Sequence, residues 1–77
     1  MINNKVVSKI FTKVANTNGY QLCPRFFRAV EKLFKEFGVN FQCAATSNTS
    51  CIAYVAQTKY YIYYNHTTKR YVSEGKM

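Results

Sequence analysis

The apolar positions of the first forty residues recur at the spacing of an α-helix. Over residues 5–15 they fall at Val6, Val7, Ile10, Phe11, Val14 and Ala15. Adjacent pairs repeated every four residues lie on one helical face, so the spacing predicts a first amphipathic helix. Asn3 or Asn4 supplies a side-chain oxygen to cap its start, and Asn16-Thr17-Asn18-Gly19 carries the turn chemistry to end it. A second helix opens at Pro24, whose missing donor costs nothing in the first turn, and closes at Gly38, which suits a left-handed cap. Between them Phe26, Phe27, Val30, Leu33, Phe34 and Phe37 share a face. Of these, Phe27, Val30, Phe34 and Phe37 are expected to pack against the inner face of the sheet. Glu31 precedes Lys35 by one turn, a pairing worth about 0.2–0.5 kcal/mol.

After Gly38 the helical period stops and β-branched and aromatic residues alternate with polar turns. The pattern predicts strands over residues 40–46, 51–57, 59–64 and 70–73. They are joined by Ser47-Asn48-Thr49-Ser50, a tight turn around Thr58, and Asn65-His66-Thr67-Thr68. Such short connections make neighbouring strands antiparallel. The expected architecture is α+β: two N-terminal amphipathic helices packed on one face of a C-terminal antiparallel meander of three to four strands. Residues 74–77 are expected to fray. The segment Tyr63-Tyr64-Asn65-His66-Thr67-Thr68-Lys69 resembles the second hairpin of a WW domain, whose tyrosines precede an Asn-His turn. The resemblance covers that hairpin alone, and the two tryptophans of the WW family are absent, since the chain has no Trp.

At 77 residues the chain has room for one core, and residues 1–77 are read as a single domain. Charge then narrows the function. Eleven Lys and Arg stand against three acidic residues, a net charge of +8, which favours polyanions, acidic protein surfaces or anionic lipid as partners. No stretch has the roughly 20 apolar residues of a membrane span, so no membrane partner is expected. Since Met1-Ile2-Asn3-Asn4-Lys5 does not open the apolar core of a signal peptide, a cytoplasmic, intracellular home is expected. The three cysteines, Cys23, Cys43 and Cys51, form neither a CxxC pair nor an even set. They are expected to be free thiols, although Cys43 and Cys51 flank a short hairpin and a cross-strand bridge between them stays open.

Two constellations carry candidate binding chemistry. Lys5, Lys9 and Lys13 recur every four residues on the first helix, and Arg25, Arg28, Lys32 and Lys35 follow the same kind of line on the second. Like charges at this spacing repel, so helix stability does not ask for them, whereas phosphate binding would use them. The alternative is a solvated helix face, since an amphipathic helix turns polar residues outward. The second constellation is tyrosine. In Tyr60-Tyr61-Ile62-Tyr63-Tyr64 alternation sends Tyr60, Ile62 and Tyr64 one way and Tyr61 and Tyr63 the other. With helices on one side only, Tyr61 and Tyr63 fall on an open face, beside Lys69 and Arg70, where rings can stack on bases. Half-exposed Tyr is also a good strand former that needs no ligand, and Tyr with Arg marks many protein interfaces.

Catalysis is not expected. There is no Asp, the three Glu are far apart, and the one histidine, His66, falls in a turn. Neither a carboxylate pair nor a hard-ligand metal site nor a Ser-His-Asp triad can be assembled from this set, and Gly19, Gly38 and Gly75 make no phosphate-cradling loop. No cofactor and no metal is expected. The leading expectation is a small basic non-enzymatic module that contacts nucleic acid through its helical stripes, with the sheet tyrosines as a further contact. The alternative is a small inhibitor or adaptor of viral type that docks on an acidic face of a protein or ribonucleoprotein.

Overall fold

Asn3 opens the first helix, because its side-chain oxygen accepts the Val6 N–H at 3.0 Å and so satisfies one of the donors a helix start leaves unbonded. In the computed structural model, which describes residues 2–75, this helix is α1 (Asn4–Asn18). It runs three residues beyond the expected stop at Ala15. Thr17 bonds back to the Lys13 carbonyl at 3.0 Å, and only Gly19, at φ +88°, takes the chain out of the helix. The second helix, α2 (Pro24–Glu36), starts at Pro24 as expected. Its end is a Schellman cap. Gly38, at φ +72°, donates to the Lys35 carbonyl at 2.9 Å and Val39 donates to the Phe34 carbonyl at 3.2 Å, satisfying two orphan carbonyls.

Four strands follow, β1 (Phe41–Ala45), β2 (Ser50–Val55), β3 (Thr58–Asn65) and β4 (Arg70–Gly75). They pair in sequence order, each antiparallel to the next. The fold is α+β, helices first, with α1 packed on β4 and α2 on β1. The register places Phe41, Cys43, Cys51, Ala53, Val55, Tyr60, Ile62, Tyr64, Tyr71 and Ser73 on one side of the sheet. That side meets Val7, Ile10, Phe11, Val14 and Ala15 of α1 and Phe26, Val30 and Phe34 of α2. Aromatic rings knit the layers: Phe34 stacks on Phe41 with centroids 5.3 Å apart, and Tyr71 sits 5.7 Å from both Phe11 and Phe26.

Several sequence expectations are corrected here. Phe37 is 59 % exposed and outside the core, because it is the C-cap residue of α2, where the chain turns away before the helical face reaches it. Phe26 is the more buried of the neighbouring pair, while Phe27 packs at the margin. The second turn is Ala56-Gln57, not a turn around Thr58, since Val55 pairs with Thr58. Both turn residues have positive φ, 54° and 70°, the two-residue hairpin geometry usually filled by Asn-Gly. Glu74 and Gly75 extend β4 by pairing with Tyr61 and Tyr60, whereas the rest of the expected frayed tail, residues 76–77, lies outside the described residues. Because Gln57 holds a left-handed conformation without being glycine, Gln57→Gly is expected to stabilise the domain by about 1 kcal/mol. A urea midpoint that falls on this change would show that the hairpin gains more from the Gln side chain than it loses in strain.

The two sheet edges differ. Along α1, Asn4, Ser8 and Thr12 form a polar line beside the core face, and each bonds to β4. Thr12 Oγ1 accepts the Tyr71 N–H at 3.0 Å, Ser8 Oγ donates to the Tyr71 carbonyl, and Asn4 Oδ1 accepts the Ser73 hydroxyl at 3.1 Å. The Thr12 and Ser8 bonds occupy the outward N–H and C=O of Tyr71, backbone groups that an edge strand otherwise presents to other chains. On β1 no side chain of the described residues performs that service.

Candidate interaction surfaces

The basic stripes point straight out of the helical layer. At about 100° per residue, Lys5, Lys9 and Lys13 lie opposite the buried set of α1, and Arg25, Arg28, Lys32 and Lys35 lie opposite that of α2. All seven are exposed. Since both helices cover the same face of the sheet, the two stripes share one side of the molecule. Seven cations against Glu31 and Glu36 give the helices a net charge of +5. This side therefore holds most of the positive field of the molecule.

The other side of the sheet is uncovered. Tyr61 and Tyr63 do face it, at 5.8 Å between ring centroids, and Tyr61 is 45 % exposed. Tyr63 donates to the Glu74 carboxylate at 3.4 Å, and partial burial followed by that carboxylate holds its phenol above the usual tyrosine range. Arg70 is exposed at the start of β4 opposite Asn65. Lys69 stands in the turn before it at φ +58°, its N–H bonded to the Asn65 carbonyl at 2.7 Å. The register adds residues that sequence reasoning did not assign. Tyr54, 47 % exposed, pairs with Lys59, and Ile52 pairs with Tyr61 on the same side. Their signal was the alternation in β2, which puts Ile52 and Tyr54 on the side away from Cys51, Ala53 and Val55. Thus Ile52, Tyr54, Tyr61, Tyr63 and Val72 make one aromatic and aliphatic face with Lys59, Arg70 and Glu74 at its margins.

Stripes and tyrosines lie on opposite sides of the domain, a helix diameter of roughly 10–12 Å plus the sheet apart. A polyanion held along the helices does not reach the tyrosines without wrapping round an edge.

His66 is exposed in its turn, and its ring sits edge-on to Tyr64 at 5.0 Å and to Tyr20 at 5.7 Å. Tyr20 in turn stacks on Tyr64 at 4.4 Å, so the imidazole is part of an aromatic cluster. The hairpin is held by Asn65, whose side-chain oxygen accepts the Thr67 and Thr68 N–H groups at 2.9 and 3.2 Å. Its likeness to a WW hairpin ends there, because the surrounding sheet is covered by helices. Among the described residues no three His, Cys, Asp or Glu side chains converge as a metal site, and no helix is long and apolar enough to cross a membrane.

The cysteines are free. The register sets Cys43 opposite Ala53 and Cys51 opposite Ala45, a diagonal relation of about 7–8 Å, too long for the bridge that the sequence left open. Burial first, and the neighbouring Cys43 second, push the Cys51 thiol up to about 12. Burial and then Glu31 push Cys43 up to about 11. The reactive species is the thiolate, so a maleimide at neutral pH is expected to label exposed Cys23 fast and Cys51 only on unfolding. Rapid labelling of Cys51 in the folded protein would contradict this packing. Compared with known protein families, characterised proteins and solved structures, the chain matches none, and what it binds has to be argued from its own residues.

Proposed function

We propose that this protein is a non-enzymatic binding module that holds the phosphate backbone of nucleic acid on its helical side. One observation carries the reading: Lys5, Lys9, Lys13, Arg25, Arg28, Lys32 and Lys35 are all exposed on the side of the helices turned away from the core. Their mutual repulsion costs folding free energy, and a polyanion relieves it while its condensed counterions are released. Arg25 and Arg28 add forked donors that match phosphate oxygens. Backbone contact of this kind positions a duplex or single strand without reading its sequence. The expected result is binding to unrelated oligonucleotides with similar affinity. Its log–log salt slope should be about −0.9 per phosphate engaged on duplex DNA. Fluorescence anisotropy across a salt series measures it, and a flat series would exclude the phosphate contact.

A second reading is favoured by the open sheet face. Tyr54 and Tyr61 are exposed beside Ile52 and Val72, and a patch of Tyr and aliphatic residues with charges only at its margin has the composition of a protein interface. The protein would then act as a small adaptor or inhibitor, its basic side turned to an acidic protein or ribonucleoprotein. Capture of the partner with and without nuclease separates the two readings.

A further inference from the structure

The two edges of the sheet are treated unequally, and the difference marks a second binding element. On β4 the outward N–H and C=O of Tyr71 are taken by Thr12 and Ser8 of α1. β1 is the other edge of the sheet. Two backbone bonds fix which of its groups face outward: Ala56 N–H donates to the Asn40 carbonyl at 3.0 Å, and Thr46 N–H to the Ser50 carbonyl at 2.9 Å. In an antiparallel ladder bonded pairs alternate with unbonded ones. With Phe41 opposite Val55 and Ala45 opposite Cys51, residues 40, 42, 44 and 46 bond to β2. The N–H and C=O groups of Phe41, Cys43 and Ala45 point the other way. No hydrogen bond from another described element reaches them.

Natural edges are usually blunted by Lys, Pro, a bulge or a covering element. β1, with sequence Phe-Gln-Cys-Ala-Ala, has no charge and no proline, and its register with β2 is unbroken by a bulge. Beside it lies a groove of about 340 Å³ whose lining includes Glu31 and Lys35 of α2, Val39, Phe41, Gln42 and Tyr54. An open edge next to a helix-walled groove is the arrangement by which extended peptides add a strand, with main-chain bonds supplying affinity and the groove receiving alternate side chains.

We propose that β1 accepts an extended segment of an acidic partner protein as a further strand of the sheet. The net charge decides against a second copy of the chain, since two molecules of +8 repel on approach whereas an acidic segment is drawn in. Lys35 lines the groove beside Glu31, and Arg28 and Lys32, exposed on the outer side of α2, add to that attraction at longer range. The β1 backbone takes no part in the nucleic-acid reading, although the α2 cations are common to both.

The probe is a short synthetic peptide of alternating valine and glutamate, with its valine–lysine counterpart as control. Amide hydrogen exchange by NMR should slow by at least about tenfold at Phe41, Cys43 and Ala45 when the acidic peptide is saturating, and not at Gln42 and Ala44, which are already bonded. The lysine peptide should leave all five unchanged. Ala45→Pro removes one outward donor without touching the β2 ladder, so it should weaken the acidic peptide at least about tenfold while far-UV circular dichroism stays the same. If that variant fails to fold, the exchange pattern of the unmodified protein still decides. The proposal is overturned if the acidic peptide does not bind by about 1 mM, or binds without protecting the three amides. Equal binding of both peptides overturns it too. So does protection of the same amides by protein concentration alone, which would make a second copy the occupant.

Discussion

Phe34→Ala is expected to lower the unfolding free energy by about 3–5 kcal/mol. Phe34 is fully buried and stacks on Phe41 at an interplanar angle of 15°, so truncation opens a void between α2 and β1 that neighbouring rings cannot fill without leaving their rotamers. At roughly 0.05–0.15 kcal/mol of stability per residue a chain of 77 residues has about 4–12 kcal/mol to lose, so the change consumes a large share of the margin. Urea unfolding followed by circular dichroism measures it. Phe37→Ala is the internal control: the same residue type, three positions on, is 59 % exposed and should shift stability by no more than about 0.5 kcal/mol. Equal effects at the two positions would mean that the end of α2 is packed otherwise than the Schellman cap dictates.

The contrast between these two phenylalanines also shows where sequence patterning stops being informative. Helical periodicity located both buried faces, Gly38 located the end of α2, and alternation in Tyr60-Tyr61-Ile62-Tyr63-Tyr64 separated the core rings from the open ones, because each of these signals is local. Phe37 obeys the periodicity of α2 but lies past its last helical residue, and periodicity carries no information about where a face ceases to touch the core. The Ala56-Gln57 turn was illegible for a different reason. Its left-handed geometry is imposed by the ladder on either side, since neither residue favours it, and the usual Asn-Gly signal is missing. The unequal edges depend on which helix lies over which strand. Asn4, Ser8 and Thr12 at four-residue spacing were the available trace, but the sequence reading took Asn4 only as a candidate cap and gave Ser8 and Thr12 no role. The stripes and the open tyrosines were legible as the two sides left by helices packed on one face of the sheet, whereas the pairing of Ile52 with Tyr61 and of Tyr54 with Lys59 was not, because it depends on the register of β2 with β3.

That placement sharpens the test of the basic stripes. The triple change Arg25→Glu, Arg28→Glu and Lys32→Glu is expected to reduce oligonucleotide binding at low salt by at least about a hundredfold and to flatten the salt slope by about 3, since each lost phosphate contact removes about 1. The three side chains are exposed and opposite the buried set, so melting temperature and circular dichroism should stay close to those of the unmodified protein. Replacing Lys5, Lys9 and Lys13 by Glu should have an effect of the same order, because α1 presents its stripe on the same side of the molecule. It should be somewhat smaller, because Lys meets phosphate as a point charge where Arg offers two parallel donors. Tyr54→Ala with Tyr61→Ala should leave the salt slope unchanged, since these rings face the opposite side. Suppose instead that both charge-reversed proteins fold and bind as tightly as before while the tyrosine variant loses affinity. The helical cations would then be a solvated surface, and the open sheet, read as a protein interface or a base-stacking platform, would be the binding site.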